Sequence, residues 1–134
     1  MYNVADIYEY NLRVAAGKGD IKEIQKILQQ KIDINGKNKK EENTALMMAS
    51  YNGKKDVVAI LVKNGANLNL QDIYGDTALF YATTKNEKEI VQILLEHGAN
   101  PNIKTKKSYS PLGYAKSNGN HEIIEILEKA GAKE

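Results

Sequence analysis

The chain has 134 residues, of which 42% are hydrophobic and 27% charged, and its formal net charge at pH 7 is +2. This composition is typical of one globular domain, and so small a net charge does not by itself indicate a nucleic-acid or membrane partner. The absence of cysteine excludes a disulfide framework, an iron–sulfur cluster and a thiol nucleophile. Arg13 is the only arginine, which argues against phosphate or base recognition, because the planar guanidinium group is the usual one for both.

The N-terminal stretch lacks the basic segment and apolar run of a signal peptide, and no apolar run approaches the roughly 20 residues of a membrane helix. We therefore expect a cytoplasmic protein, with secretion by a route that needs no signal still open. Asp6 and Glu9 have the spacing of a capping box, which predicts that the first helix begins near Asp6. Val4, Ile7 and Tyr8 would then cover the first part of the fold.

A repeat of 33 or 34 residues organises the rest of the chain. It is marked by a leucine in each copy, followed at fixed distances by alanine, by glycine or asparagine, and by two branched apolar residues. The leucines are Leu12, Leu46, Leu79 and Leu112; the alanines are Ala15, Ala49, Ala82 and Ala115; the branched residues are Ile24, Val58, Val91 and Ile124, then Ile27, Leu61, Leu94 and Leu127.

Each copy predicts two short helices. A hydroxyl residue two positions before the leucine can cap the first helix, and the glycine or asparagine can end it in a left-handed conformation. Apolar residues at helical spacing then form the second helix. The predicted caps are Thr44, Thr77 and Ser110, and the predicted helix ends are Gly19, Gly53, Asn86 and Gly119. The predicted units span about 1–35, 36–69, 70–102 and 103–134.

The stretch "DIYGDTALFYATTKNEKEIVQILLEHGANPN", Asp72 to Asn102, resembles an ankyrin repeat. The resemblance implies an all-α solenoid of four helix-turn-helix units joined by projecting β-turn loops. It also implies a cytoplasmic scaffold that binds another protein. One loop departs from the family pattern: the segment from Gly36 to Asn43 has an extra residue and lacks the turn aspartate and glycine.

The two ends differ from the middle copies. The second helix of copy one carries Glu23 and Lys26 where the later copies have apolar residues, and copy four carries Glu128 where the earlier copies have apolar residues. Terminal units of a stack must face water on their outer sides. We therefore expect the first and last copies to be caps of a complete four-unit protein.

No catalytic constellation stands out. His97 and His121 fit solvated surface positions, and Asp72 with Asp76 fits a turn better than a calcium loop. The sequence therefore predicts a protein that is not an enzyme and holds neither a cofactor nor a metal.

The family's contact surface consists of the turn tips and the concave face of the first helices. Carried over by register, the tips provide Lys39, Lys40, Ile73, Tyr74, Asp76, Lys106, Lys107 and Tyr109. The concave face provides Met47, Tyr51, Asn52, Phe80, Thr84, Lys85, Ser117 and Asn118.

Packing competes with contact at several of these positions. Met48, Tyr81 and Tyr114 are expected to pack between units, and Met47 and Phe80 fit either role. Tyr51, Tyr74 and Tyr109 have no apolar counterpart in the other copies, which favours partner contact. Tyr2, Tyr8 and Tyr10 belong to the region of the first unit.

The loop lysines favour a partner with an acidic surface, and we expect the protein to be a monomer. Two alternatives remain open at this point. The same lysines could bind nucleic acid or another polyanion, and the chain could be a purely structural or oligomerisation element.

Overall fold

The computed structural model describes residues 3–134, and this part of the chain forms eight helices and no strand. The helices are α1 (Val4–Lys18), α2 (Ile21–Ile27), α3 (Ala45–Tyr51), α4 (Lys55–Lys63), α5 (Ala78–Thr84), α6 (Lys88–Glu96), α7 (Pro111–Asn118) and α8 (His121–Lys129). They pair as four helix-turn-helix units, which confirms the expected all-α ankyrin-repeat solenoid. Within residues 3–134, none of these helices combines the length and apolarity needed to cross a bilayer.

The helices form two rows. Helices α1, α3, α5 and α7 pack side by side and are called the first row, and α2, α4, α6 and α8 form the second row. The repeated leucines and alanines of the first row meet the apolar residues of the second row in one continuous core. Leu46, Leu79, Leu61 and Leu94 are each at most 2% exposed. Burying such a side chain stabilises the fold by about 1.5–3 kcal/mol, so the stack depends on contact between neighbouring units.

Local capping chemistry sets the limits of the first-row helices. The hydroxyl oxygens of Thr44, Thr77 and Ser110 accept hydrogen bonds from the third following N–H at 3.0–3.2 Å. The residue seven positions after each leucine adopts a positive φ, between 56° and 79°, and asparagine replaces glycine there in the third unit. Both predictions of helix caps and helix ends are confirmed.

Helix α1 begins earlier than predicted. It starts at Val4, because the Asn3 side chain accepts the Asp6 N–H at 2.7 Å and so provides the cap that was assigned to Asp6. Val4 is 65% exposed and Ile7 is 49% exposed, so they do not cover the first unit, whereas Tyr8 packs against the core. Tyr2 lies outside the described residues.

A second set of hydrogen bonds links neighbouring units after the first three second-row helices. The side-chain oxygens of Asn35, Asn69 and Asn102 accept backbone N–H groups of the next copy at 2.7–2.8 Å. For example, Asn69 accepts from the backbone N–H of Asn100. These bonds account for the second asparagine of the sequence Gly-Ala-Asn-x-Asn that recurs from Gly65 and from Gly98. The first asparagine accepts the backbone N–H of the second at 2.9 Å.

Candidate functional site

Three loops between the units share one backbone frame. We call them tip 1 (residues 36–43), tip 2 (residues 71–76) and tip 3 (residues 104–109). In each tip, an N–H near the start donates to a carbonyl at the end at 2.9–3.1 Å, and a residue just before that end has a positive φ. The closing bonds join Asn38 to Asn43, Asp72 to Asp76 and Thr105 to Tyr109.

Tip 1 keeps this frame despite its divergent sequence. The Asn38 side-chain oxygen accepts the N–H groups of Glu41 and Asn43, as the Asp72 oxygen does in tip 2. Glu42 occupies the positive-φ position that Gly75 occupies in tip 2. Asparagine therefore replaces the turn aspartate, and the extra residue is absorbed within the loop.

Backbone hydrogen bonds join neighbouring tips into a row. The Ile73 N–H donates to the Glu41 carbonyl at 2.9 Å, and the Lys106 N–H donates to the Tyr74 carbonyl at 3.1 Å. A Cβ atom at Gly75 would lie only 2.6 Å from the Lys106 nitrogen, so a glycine is needed for this approach. The three tips therefore form a fixed strip along one side of the stack.

The strip exposes apolar and cationic side chains. Ile73 is 39% exposed, Tyr74 56% and Tyr109 55%. Lys39, Lys40, Lys106 and Lys107 are also exposed, and within residues 3–134 none of them forms an ion pair. The predicted tip residues are therefore accessible, with positive charge at both ends of the strip.

A carboxylate network supports the centre of the strip. Asp72 is buried, and its Oδ1 accepts the N–H groups of Tyr74 and Asp76 while its Oδ2 accepts the Tyr81 hydroxyl. Burial, and then the charge of Asp72, raise the pKa of half-buried Asp76 to about 6. Burial and the hydrogen bond to Asp72 raise the pKa of Tyr81, which keeps its hydroxyl protonated as a donor.

The first-row helices add a second accessible surface beside the tips. Tyr51, Asn52, Lys85, Ser117 and Asn118 are exposed and Thr84 is half-buried, as their predicted role requires. The Tyr51 ring meets the Tyr81 ring edge-on, with centroids 5.6 Å apart, and the Lys85 ammonium lies 4.6 Å from the Tyr51 centroid. These contacts fix the Tyr51 ring while its outer edge stays in water.

Two of the predicted contact residues are not accessible. Met47 is 2% exposed and Phe80 is 7% exposed, so their assignment to the binding face is wrong. Met48, Tyr81 and Tyr114, which were expected to pack between units, are half-buried. In the two central units the accessible stripe therefore lacks the position directly after the repeated leucine, because each central first-row helix is packed against two neighbours and its own second-row partner.

The sequence reasoning also missed a cavity at the N-terminal end of this surface. A pocket of about 410 Å³ lies between α1 and tip 1. Its walls include Ile7, Tyr10 and Arg13 from the helix and Lys37 and Lys39 from the tip. Its helix wall lies within the predicted first helix, but its other wall comes from a loop more than twenty residues away, so no local sequence signal indicates it.

The histidines are solvent-exposed, as predicted. Across residues 3–134, no group of three or more histidine, aspartate or glutamate side chains is arranged to hold a metal ion.

Comparison with known proteins places this architecture in a family. Residues 12–105 match the family model described as ankyrin repeats in three copies. A stretch of 65 residues, 48% of the chain, is 35% identical to the Homo sapiens protein named ankyrin repeat domain-containing protein 40. The match covers 18% of that relative, so the chain corresponds to less than a fifth of its length. The chain therefore belongs to the ankyrin-repeat family.

Proposed function

We propose that the protein is a non-enzymatic module that holds a partner protein along the strip of tips and the adjoining stripe of the first-row helices. Ankyrin repeats are generally protein–protein interaction modules. The observation that carries the proposal for this chain is the exposure of Tyr51, Tyr74 and Tyr109, at 48%, 56% and 55%, on hydrogen-bonded supports. Tyrosine combines a large apolar area with a polar end and few rotatable bonds, which makes it frequent at binding hot spots.

The proposed surface comprises the predicted contact residues that are exposed or half-buried. Its apolar anchors are surrounded by polar and charged groups, an arrangement typical of a protein interface with a polar rim. The lysines at its two ends favour a partner with an acidic surface, and their main effect is on the association rate. The residues are Lys39, Lys40, Tyr51, Asn52, Ile73, Tyr74, Asp76, Thr84, Lys85, Lys106, Lys107, Tyr109, Ser117 and Asn118.

A double variant tests the proposal. Tyr74→Ala with Tyr109→Ala should weaken partner binding by more than about 1 kcal/mol and leave the free energy of unfolding within about 0.5 kcal/mol of the wild type, because both side chains are more than half exposed. The assay is quantitative mass spectrometry of proteins captured from an extract of the native cell, with urea unfolding in parallel.

The matched control changes the opposite side of the molecule. Glu89→Ala with Glu96→Ala alters two exposed residues of α6 in the second row and should capture the partner as the wild type does. If the tyrosine variant also captures the partner normally, the proposed surface is wrong. If it unfolds at much lower urea concentration, the tyrosines are packing residues.

The unpaired tip lysines support polyanion binding as a second candidate. That function predicts an affinity that falls steeply as salt concentration rises, because phosphate contacts release counterions. A protein partner held by tyrosine anchors predicts a shallow dependence, so a salt titration of the captured complex separates the two.

A further inference from the structure

The first turns of α1 have no counterpart in the other first-row helices. Helices α3, α5 and α7 begin one residue before the repeated leucine, whereas α1 begins eight residues before Leu12. The additional segment is therefore about two turns long. Its apolar residues Val4, Ile7 and Tyr10 are 65%, 49% and 60% exposed.

The additional turns form one wall of the pocket of about 410 Å³, and tip 1 forms the other. This volume falls within the range of about 300–1,000 Å³ found for ligand pockets. Ile7 and Tyr10 supply apolar surface, and the positively charged Lys37 and Lys39 face them from the tip.

Hydrogen bonds hold the two walls together. Arg13 Nη1 donates to the Gly36 carbonyl at 3.2 Å, and Glu9 Oε2 accepts the Asp33 N–H at 3.2 Å. Gly36 lies so close to the helix that a Cβ atom there would be 2.5 Å from the Glu9 carboxylate. The pocket is therefore a formed feature of the fold, which reduces the ordering cost of filling it.

The charges of the pocket are unevenly distributed. On the helix side, the carboxylates of Asp6 and Glu9 line the pocket together with Arg13, and Glu9 accepts the Asp33 N–H. On the tip side, Lys37 donates to the Gln71 carbonyl at 3.0 Å, and neither Lys37 nor Lys39 has an ion-pair partner in the part of the chain that is described. The tip wall therefore offers positive charge that a carboxylate can neutralise.

We propose that this pocket binds an aromatic or aliphatic side chain within an acidic segment of a partner protein, with the carboxylates of that segment facing Lys37 and Lys39. The inference rests on the proposed function, since it names the chemistry of the partner at the N-terminal end of the same surface. It adds Ile7 and Tyr10 as anchor residues that the tips and the helix stripe do not include.

The test uses a synthetic peptide with a central phenylalanine between runs of glutamate, titrated into the isotope-labelled full chain. Amide shifts in the two-dimensional NMR spectrum should be largest at Ile7, Tyr10 and Lys39. A peptide with serine for phenylalanine and a peptide with lysine for glutamate should each bind at least about tenfold more weakly.

Protein variants provide the second arm. Ile7→Ser and Tyr10→Ser should each weaken binding of the glutamate–phenylalanine peptide by about tenfold. Val4→Ser is the matched control, because Val4 is an exposed apolar residue of the same additional turns that does not line the pocket. It should bind the peptide as the wild type does.

The following outcomes would overturn the proposed pocket. Absence of shifts at Ile7, Tyr10 and Lys39 up to millimolar peptide overturns the proposal, as does equal binding of the lysine or serine peptide. Equal weakening by Val4→Ser would show a nonspecific apolar contact and also overturn it. Shifts confined to Tyr74 and Tyr109 would overturn the pocket but leave the proposed function standing.

Discussion

Removing the charge of Asp76 should stabilise the protein at neutral pH. Burial and the neighbouring Asp72 raise the pKa of Asp76 from 3.8 to about 6. The folded protein therefore binds this proton more tightly than the unfolded chain does. The contribution of Asp76 to stability is highest below the unfolded pKa, falls as the pH rises from about 3.8 to about 6, and stays lower above that range.

The size of the effect follows from the same pKa difference. One pKa unit corresponds to about 1.4 kcal/mol, so the change from 3.8 to about 6 sets an upper limit of about 3 kcal/mol. Asp76 is only half-buried, and solvent screening reduces this to about 1 kcal/mol. Asp76→Asn should therefore raise the free energy of unfolding by about 1 kcal/mol near pH 7.5 and change it little near pH 4.

Urea unfolding of wild type and variant at both pH values measures this difference. The control is Asp72→Asn, which replaces the oxygen that accepts the Tyr81 hydroxyl with an amide and should destabilise the protein by about 1–3 kcal/mol. Equal destabilisation by Asp76→Asn at both pH values would refute the reasoning, since the effect of the substitution would then not depend on the charge of the Asp76 side chain.

Three further predictions concern the frame that holds the tips. Leu94→Ala should lower the free energy of unfolding by about 2–5 kcal/mol, because Leu94 is fully buried and its loss leaves a cavity; a smaller loss in urea unfolding would contradict the packed core. Ser50→Ala should be neutral or stabilising by up to about 1 kcal/mol, because the buried Ser50 hydroxyl has no hydrogen-bond partner among the described residues. Thr83→Val is its counterpart and should lower the free energy of unfolding by about 1 kcal/mol, because the Thr83 hydroxyl donates to the Leu79 carbonyl at 2.9 Å. Similar melting temperatures for the Ser50 and Thr83 variants would argue against this distinction. Asn69→Ala should lower the free energy of unfolding by about 0.5–1 kcal/mol, because it removes the acceptor of the Asn100 N–H, whereas Asn69→Asp keeps that acceptor. Equal losses of unfolding free energy in the two variants would show that the bond contributes nothing.

The fold could be predicted because its determinants are local or strictly repeated. Thr44 and Thr77 cap their own helices within three residues, and Gly53 and Asn86 end them through backbone conformation alone. Leu46 and Leu79 recur in the same register and therefore fall in the same core. Signals of this kind need no knowledge of distant parts of the chain.

The predicted stripe of the first row included one buried position, the one directly after the repeated leucine in the two central units. Helical periodicity identifies an apolar face, but in α5 the buried residues surround most of the helix, since every residue from Ala78 to Thr83 except Tyr81 is buried. Only the positions of the neighbouring helices determine that Phe80 faces inward and Tyr81 reaches the surface beside Asp72. That information belongs to the packing, which a single sequence does not specify.

The N-terminal pocket could not be predicted for a similar reason. The predicted first helix, beginning near Asp6, already contained the residues of the helix wall, but nothing in the sequence placed tip 1 against them. The walls of the pocket come from segments more than twenty residues apart, joined by the bond from Arg13 to the Gly36 carbonyl. Such long-range contacts leave no periodic signal.

Photo-crosslinking in a native extract tests most directly whether the strip of tips binds a partner protein. A photoreactive phenylalanine analogue would replace Tyr74 at the centre of the strip or, as a control, exposed Glu89 on the second row. We expect the analogue at position 74 to form a crosslink to one protein that the analogue at position 89 does not capture. The same crosslinked proteins from both positions, or a specific partner captured only from position 89, would contradict the proposal.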